Sequence, residues 1–193
     1  ELKASNMILS DRDILRAVKE GHIKISPFKK ALVQSASVDL TLAPMVRTFE
    51  DGNGRCIDVR EEQDFSKRVP IGQDGFVVHP GRFFLAASVE EIELTGSLVA
   101  RIDGRSSLGR LGLLVHTSAS YIAPGFSGNI TLEISNLSRF SVRLYPGMRV
   151  AQISFQPLTS SVLRSYGIPG LGSKYQGQAG PTASRIWQDF EED

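Results

Sequence analysis

The sequence is poor in cysteine, and this restricts the metal and redox chemistry that the chain can carry. Its 193 residues include one cysteine, Cys56, and three histidines, His22, His79 and His116. A single cysteine excludes an intramolecular disulfide and cannot supply the thiolate cluster of a zinc site. We therefore expect no metal held by cysteine and histidine side chains of the chain.

The sequence also lacks a large excess of either positive or negative side chains. The 22 Lys and Arg side chains are balanced by 21 Asp and Glu side chains, which leaves a formal charge of +1. Such a chain has no overall field that would attract a nucleic acid or an anionic membrane. The sequence shows no signal-peptide pattern and no apolar run of about 20 residues. We expect a soluble, cytoplasmic protein with neither nucleic acid nor membrane as its partner.

The length of the chain predicts one domain with a tail. A chain of 193 residues is long enough to bury one core and short for two. Residues 1–6 precede the first methionine and are interpreted as a tag remnant or an extension, and residues 7–158 as a β-domain. Residues 159–193 begin with a stretch rich in Ser and Gly and poor in large apolar side chains, which predicts a flexible C-terminal lid, with a frayed terminus as the alternative.

One helix and many short strands are predicted within the domain. Ser10 with Asp13 is typical of a helix N-cap, and apolar residues recur at helical spacing as far as Gly21, which predicts a helix over 11–20. Residues 50–75 are polar and poor in strand signals, and are predicted to form a long surface excursion. Alternating apolar and polar residues elsewhere predict a mainly β fold, a distorted β-barrel or jelly roll, with strands at 76–79, 82–89, 97–102, 113–118, 130–135, 140–144 and 149–156.

The strongest functional signal is a basic turn, GRSSLGRLG at 104–112, with two guanidinium groups, two hydroxyls and three glycines. Glycine lets backbone N–H groups approach an anion, and arginine supplies planar, charged donors, so the turn predicts a phosphate cradle. Glu133, which ends the run GNITLE at 128–133, adds one carboxylate on a predicted strand. Taken singly, a solvated loop and an exposed glutamate are the alternatives; together they indicate a nucleotide site.

These motifs in this order resemble the dCTP deaminase branch of the trimeric dUTPase superfamily. The basic turn is followed by IAPGF at 122–126 and by GNITLE, and nearly the whole chain is spanned by further matches, MILSD at 7–11, QSASVDL at 34–40, SKYQGQ at 173–178 and GPT at 180–182. The resemblance implies the dUTPase fold, a distorted β-barrel with an N-terminal helix and a C-terminal lid.

The resemblance also implies an enzyme, a hydrolytic dCTP deaminase that works in the synthesis of dUMP and dTTP precursors. Zinc deaminases carry an H-x-E…P-C-x-x-C pattern, which is missing here, so we expect no zinc and a proton transfer carried out by Glu133. Mg²⁺ is implied only as the counter-ion of the triphosphate. The implied partners are dCTP, dUTP as a further substrate, dTTP as an inhibitor, and two more copies of the chain in a homotrimer with sites between subunits.

The resemblance further implies the residues of the site. Glu133 would act as general base and acid, with Arg110 and Ser106 fixing the attacking water. A wider set would bind the substrate: Arg105, Ser106, Ser107, Leu108, Gly109, Arg110, Ala123, Thr131, Leu132, Glu133, Gln152, Tyr166, Lys174 and Gln178. Residues placed behind these would shape the pocket: His116, Ala119, Ser120 and Tyr121. No residue is implied as a metal ligand.

Two positions matter for the reaction. The family's I-D-P-G turn, whose aspartate contacts the deoxyribose 3′-hydroxyl, has Ala123 in place of the aspartate. An engineered substitution, a natural variant and a non-catalytic binding homologue are the competing explanations. Ser120 and Tyr121 form the small-then-aromatic pair of bifunctional, dUMP-forming enzymes, which is the branch we expect. A deaminase that stops at dUTP and a plain dUTPase are the alternatives.

Overall fold

The computed structural model describes residues 7–50, 52, 54–116 and 118–191. Residues 1–6, interpreted as a tag remnant or an extension, lie outside these ranges. Helix α1 (Asp11–Lys19) begins after Ser10, whose hydroxyl accepts a hydrogen bond from the backbone N–H of Asp13 at 3.4 Å. The chain leaves the helix at Gly21, which has a φ of +78°. The predicted helix is confirmed.

The rest of the fold is built from strands. In chain order the strands and one further short helix are β1 (Ile23–Ser26), β2 (Val38–Thr41), β3 (Met45–Phe49), β4 (Ser66–Pro70), β5 (Phe76–Val78), β6 (Phe83–Leu94), β7 (Leu98–Gly104), α2 (Ser106–Gly109), β8 (Leu113–Val115), β9 (Tyr121–Ile122), β10 (Ser127–Asn136), β11 (Val142–Leu144) and β12 (Arg149–Pro157). Single 3-10 turns lie at Lys30–Leu32 and Ile186–Asp189. No helix of the described ranges is long and apolar enough to cross a membrane.

The strands form two main antiparallel sheets around one hydrophobic core. The first has the order β4-β3-β6-β10-β8, with β1 also paired to β6, and the second has the order β2-β12-β7-β9. β11 and β5 form a separate pair. Apolar side chains of both main sheets meet in one cluster, so that each sheet buries one face. The mainly β fold with one N-terminal helix that the sequence predicts is confirmed.

The structure differs from the sequence expectation at two places. β4 lies within residues 50–75, which were expected to be poor in strands, and it was not predicted because its sequence SKRVP lacks the apolar alternation of a half-buried strand and it lies at the edge of its sheet. β8 ends at Val115, before the predicted end at 118, because His116 adopts a φ of 50°, in the left-handed region, and turns the chain away.

A bulge in β6 fixes how β10 lies in the sheet. Asn129 pairs with Glu91 and Thr131 with Ala87, so the three β6 residues 88–90 lie opposite one residue of β10. The Ser88 hydroxyl accepts a hydrogen bond from the backbone N–H of Ile130 at 2.9 Å, in place of a ladder carbonyl. Register decides which face of a strand is buried, and here alternate residues from Gly128 to Asn136 point to the core. Thr131 and Glu133 therefore share the opposite face.

The segment after β12 packs back onto the sheets. The backbone N–H of Val162 donates to the carbonyl of Gly96 at 2.9 Å, and that of Tyr166 to the carbonyl of Pro124 at 2.9 Å. Farther along, the carbonyl of Pro181 accepts a hydrogen bond from Arg47 Nε at 2.8 Å. The predicted tail is thus held against the β-domain at several points, and its mobility remains a prediction.

Candidate active site

Glu133 lies on the non-core face of β10 and is half-buried. Its carboxylate accepts a hydrogen bond from the Ser118 hydroxyl, Oγ to Oε2, at 2.5 Å. Its backbone carbonyl accepts from the N–H of His116 at 2.7 Å, which ties the loop after β8 to the strand. One carboxylate oxygen is thus held by a protein donor, and Oε1 has no hydrogen bond from the described residues, so it is available to a ligand. Sequence reasoning did not identify Ser118.

His116 is buried beside this carboxylate, with 7% of its surface exposed. Its Nε2 lies 2.9 Å from the carbonyl oxygen of Ala119 and must donate to it. Its Nδ1 is buried and has no hydrogen-bond partner among the described residues. In the neutral ring Nδ1 is then a free acceptor, and a buried acceptor without a partner costs about 1–3 kcal/mol. A water or a ligand donor at this position would remove that cost.

Glu133 and His116 line a cavity of about 580 Å³, within the range of small-molecule sites. Eight residues predicted from the sequence contribute to its wall: His116, Ala119, Tyr121, Ala123, Thr131, Glu133, Tyr166 and Gln178. Ala123 begins a turn in which its carbonyl accepts from the N–H of Phe126 at 3.1 Å, and Gly125 has a φ of +88°. The phenyl ring of Phe126 packs against Tyr166, with 5.9 Å between ring centroids.

Two further groups of wall residues were not named as site residues from the sequence, although the tail was predicted to cover the site. One is part of the polar excursion and consists of Ile57, Asp58, Val59, Glu61, Gln63, Asp64 and Phe65. The other comes from the end of the tail and includes Tyr175, Thr182, Ala183, Ser184, Ile186 and Trp187. Neither segment contains a strand or a long helix, so neither has the periodic apolar pattern that marks such elements in the sequence.

The cavity wall is mostly apolar, and the acidic side chains in it are not matched by Lys or Arg among the described residues. Asp58, Glu61, Asp64 and Glu133 line it, and no Lys or Arg of the described residues does. A hydrogen bond from Arg60 lowers the pKa of Asp58 to about 2. Burial alone would raise the pKa of Asp64, but hydrogen bonds from Ser66 and Arg47 outweigh it and lower that pKa. The cavity therefore suits the neutral part of a nucleotide better than a triphosphate.

The basic turn lies elsewhere on the chain. Arg105 forms an ion pair with Asp39, whose side chain is 1% exposed, and Arg149 reaches the other oxygen of Asp39 at 3.2 Å. Gln152 on β12 pairs with Asp39 in the sheet and belongs to the same cluster. Ser106, Ser107, Gly109 and Arg110 are exposed, whereas Leu108 is buried. None of the residues 105–110 lines the cavity that contains Glu133.

The other predicted residues also lie outside the cavity wall. Leu132 is fully buried in the core. Lys174 forms an ion pair with Asp189 in the tail. The Ser120 hydroxyl lies 3.5 Å from Arg101. The described residues contain no group of three or more His, Cys, Asp and Glu side chains that could hold a metal ion.

The chain is similar to one protein family and to several named proteins. The model of the dCTP deaminase-like family matches residues 8–158. The chain is 47% identical to the "dCTP deaminase, dUMP-forming" of Mycobacterium marinum over 186 residues, which cover 95% of this chain and 98% of that protein. It is 46% identical to the protein of the same name from Corynebacterium kroppenstedtii, with 95% and 100% covered.

A solved structure shares the fold. The 2′-deoxycytidine 5′-triphosphate deaminase of Agrobacterium tumefaciens superposes with a TM-score of 0.62 at 25% identity, over 80% of this chain. The match covers 49% of that protein, so this chain spans about half its length. The family match over most of the chain and the identity to full-length relatives show that the chain belongs to the dCTP deaminase-like family.

Proposed function

We propose that this protein deaminates dCTP by hydrolysis and converts the product to dUMP and pyrophosphate. The observation that carries the proposal is the half-buried Glu133, held by Ser118 at the wall of a nucleoside-sized cavity. The names of the relatives at 46 and 47% identity support the substrate and the final product. The pair Ser120 and Tyr121 supports the dUMP-forming branch.

Glu133 carries the proton in this mechanism. It accepts a proton from the water that adds to C4 of the cytosine ring and passes that proton to N3. It then takes the proton of the new C4 hydroxyl and delivers it to the amino group, which leaves as ammonia while the C4 carbonyl forms. General acid–base catalysis of this kind contributes about 10²- to 10⁴-fold to a rate. Ser118 keeps Oε2 in place, so that Oε1 meets the water.

The groups that hold the phosphates and fix the attacking water come from a second copy of the chain. The exposed hydroxyls and guanidinium of Ser106, Ser107 and Arg110 do not reach the cavity of their own chain, and that cavity has no cation among the described residues. A homotrimer with sites between subunits supplies what is missing, because the basic turn of one copy then closes the cavity of the next. Exposed apolar side chains beside the turn, Leu111 and Leu137, support a protein contact at this surface.

Mg²⁺ would accompany the triphosphate as its counter-ion. A hard cation coordinated by phosphate oxygens and water needs few protein ligands. It would neutralise phosphate charge. Proton transfer remains with Glu133.

The test is chromatography of the nucleotides formed from dCTP. The wild-type protein should give dUMP and pyrophosphate with little free dUTP, and Glu133→Gln should lose turnover while still binding dCTP. Accumulation of dUTP would contradict the dUMP-forming branch alone. Turnover by Glu133→Gln within a few-fold of the wild type would contradict the role of the carboxylate.

The shared site has its own test. Glu133→Gln and Arg110→Ala should each be inactive, and coexpression of the two should restore activity, because about a quarter of sites in randomly mixed trimers combine both native residues. Coexpression of two Glu133→Gln chains is the control. Mixed trimers without activity would show that the two residues do not meet across an interface.

A further inference from the structure

The tail forms an extra strand-like contact on a free edge of β10. One edge of β10 is paired with β6 along most of its length. On the other edge, β8 covers residues 134–136 and leaves the first part of the strand open. The tail lies there, with a parallel bridge between Gly128 and Gln178. Residues beside the proposed active site are therefore paired to the tail through the backbone.

Asn129 binds the tail through both its backbone and its side chain. Its backbone N–H donates to the carbonyl of Gln178 at 3.0 Å, and its Oδ1 accepts from the N–H of Gly180 at 3.0 Å. Its Nδ2 donates in the other direction, to the carbonyls of Ser88 at 3.2 Å and Val89 at 3.4 Å. Because Nδ2 faces two carbonyl oxygens and Oδ1 faces an N–H group, the side-chain amide of Asn129 can take only one orientation. The side chain of Asn129 thus connects the β6 bulge to the tail.

Gly128 allows the tail to approach closely. A Cβ at this position would lie 2.8 Å from the carbonyl oxygen and 3.0 Å from the backbone nitrogen of Gln178. The φ of Gly128 is +142°, which side-chain-bearing residues rarely adopt. The edge is therefore shaped to accept a backbone at this point.

The contact orients a residue of the cavity wall. Gln178 Nε2 donates to the backbone carbonyl of Asn129 at 2.7 Å. The Oε1 atom of the same amide therefore points away from Asn129. There it lies 3.4 Å from Thr131 Oγ1, and both residues line the cavity. The Thr131 hydroxyl in turn accepts from the N–H of Thr182 at 3.2 Å. A hydrogen-bond acceptor of Gln178 is thus presented at the wall.

We propose that Asn129 is a positioning residue for the reaction: it anchors the tail to β10 and so sets the place of Gln178. Asn129 does not line the cavity, so it acts through Gln178 and not on the substrate. The catalytic consequence rests on the proposed function, whereas the anchoring of the tail does not.

The experiment is the variant Asn129→Ala, with Ser135→Ala on the same strand as its control, because Ser135 lies between β6 and β8 and away from the tail. Trp187, the only tryptophan, lies in the cavity wall formed by the tail and reports docking by its fluorescence. Asn129→Ala should shift the emission to the red and raise KM for dCTP about threefold to tenfold, the range for one lost hydrogen bond, while kcat changes less. Ser135→Ala should leave the emission maximum and KM unchanged.

Unchanged emission and KM in a folded Asn129→Ala would overturn the proposal, and a red shift without a change in KM would overturn the positioning role. Hydrogen–deuterium exchange on the wild type tests the anchoring of the tail independently of any variant. Peptides covering 176–182 should be protected, since the Gly180 amide donates to Asn129 Oδ1, and complete exchange at the first time point would overturn the anchoring. A wild type without dCTP turnover would refute the proposed function and leave the emission and exchange results to decide the anchoring.

Discussion

Ala123 offers a gain-of-function test of the proposed site. It lies half-buried at the cavity wall with Thr131 and Tyr166. Its backbone is fixed by the turn to Phe126, in which Gly125 takes the positive φ. A longer side chain at this position can point into the cavity without a change of backbone. Ala123→Asp would therefore place a carboxylate where the related I-D-P-G turn has its sugar contact.

The expected gain is limited by the charges already present. A hydrogen bond between a hydroxyl and a carboxylate contributes about 1.5–3 kcal/mol. Asp58, Asp64 and Glu133 line the same cavity, so a further carboxylate there is opposed by like charges and by partial burial. We take a net of about 1.4 kcal/mol, just below that range, which corresponds to about a tenfold rise in kcat/KM for dCTP.

The assay compares Ala123→Asp with Ala123→Asn and with the wild type on dCTP and on 2′,3′-dideoxy-CTP. The gain should be largest for the aspartate and should disappear with the dideoxy nucleotide, which lacks the 3′-hydroxyl. An equal gain on both nucleotides would refute the sugar contact. No gain on dCTP would favour a natural variant with another sugar contact or a non-catalytic binder.

Three further predictions follow from the tail and the cavity. Deletion from Thr159 onward removes Tyr166, Gln178 and Trp187 from the wall, so kcat/KM should fall about tenfold or more while circular dichroism retains the β signal; a folded truncation with unchanged kcat/KM would show that the tail has no role in the site. A zinc chelator should leave turnover intact and removal of Mg²⁺ should lower it, and loss of activity together with stoichiometric zinc would contradict the proposed mechanism. Asp189→Asn removes the ion-pair partner of Lys174 and should lower KM for dCTP about twofold to fivefold at low salt, the factor that corresponds to the interaction energy of an exposed ion pair. An unchanged KM would show that Lys174 does not meet the phosphates.

The secondary structure was largely predictable because it depends on local patterns. The N-cap at Ser10 and the alternation along β10 are visible in the sequence and are present in the structure. β4 was missed because an exposed edge strand has no apolar alternation to detect. The end of β8 was missed because the positive φ of His116 has no sequence signal of its own.

The site was predictable where a motif marks it and not where distant segments meet. Glu133, Thr131 and Gln178 were named from motifs and share one cavity. Ser118 and Trp187 carry no such mark: Ser118 meets the carboxylate of Glu133 from the loop after β8, and Trp187 reaches the cavity wall from the tail. Arg105 was predicted as a phosphate ligand, but in one chain its guanidinium is paired with the buried Asp39, a partner nearly seventy positions away that a local pattern cannot reveal.

The separation of the basic turn from the acidic cavity has an energetic consequence for the proposed enzyme. Asp39 is 1% exposed and is bound by both Arg105 and Arg149, so the base of the turn is set before any nucleotide binds, while Arg110 remains exposed. The cavity lacks a cation among the described residues, so one copy alone would bind a nucleoside better than its triphosphate. If the turn of a second copy supplies the missing charge, triphosphate affinity and assembly stabilise each other, because a ligand that binds only the assembled site shifts the assembly equilibrium by mass action. Dilution should then raise KM for dCTP before it unfolds the chain, whereas the affinity of the cavity for the nucleoside should not change.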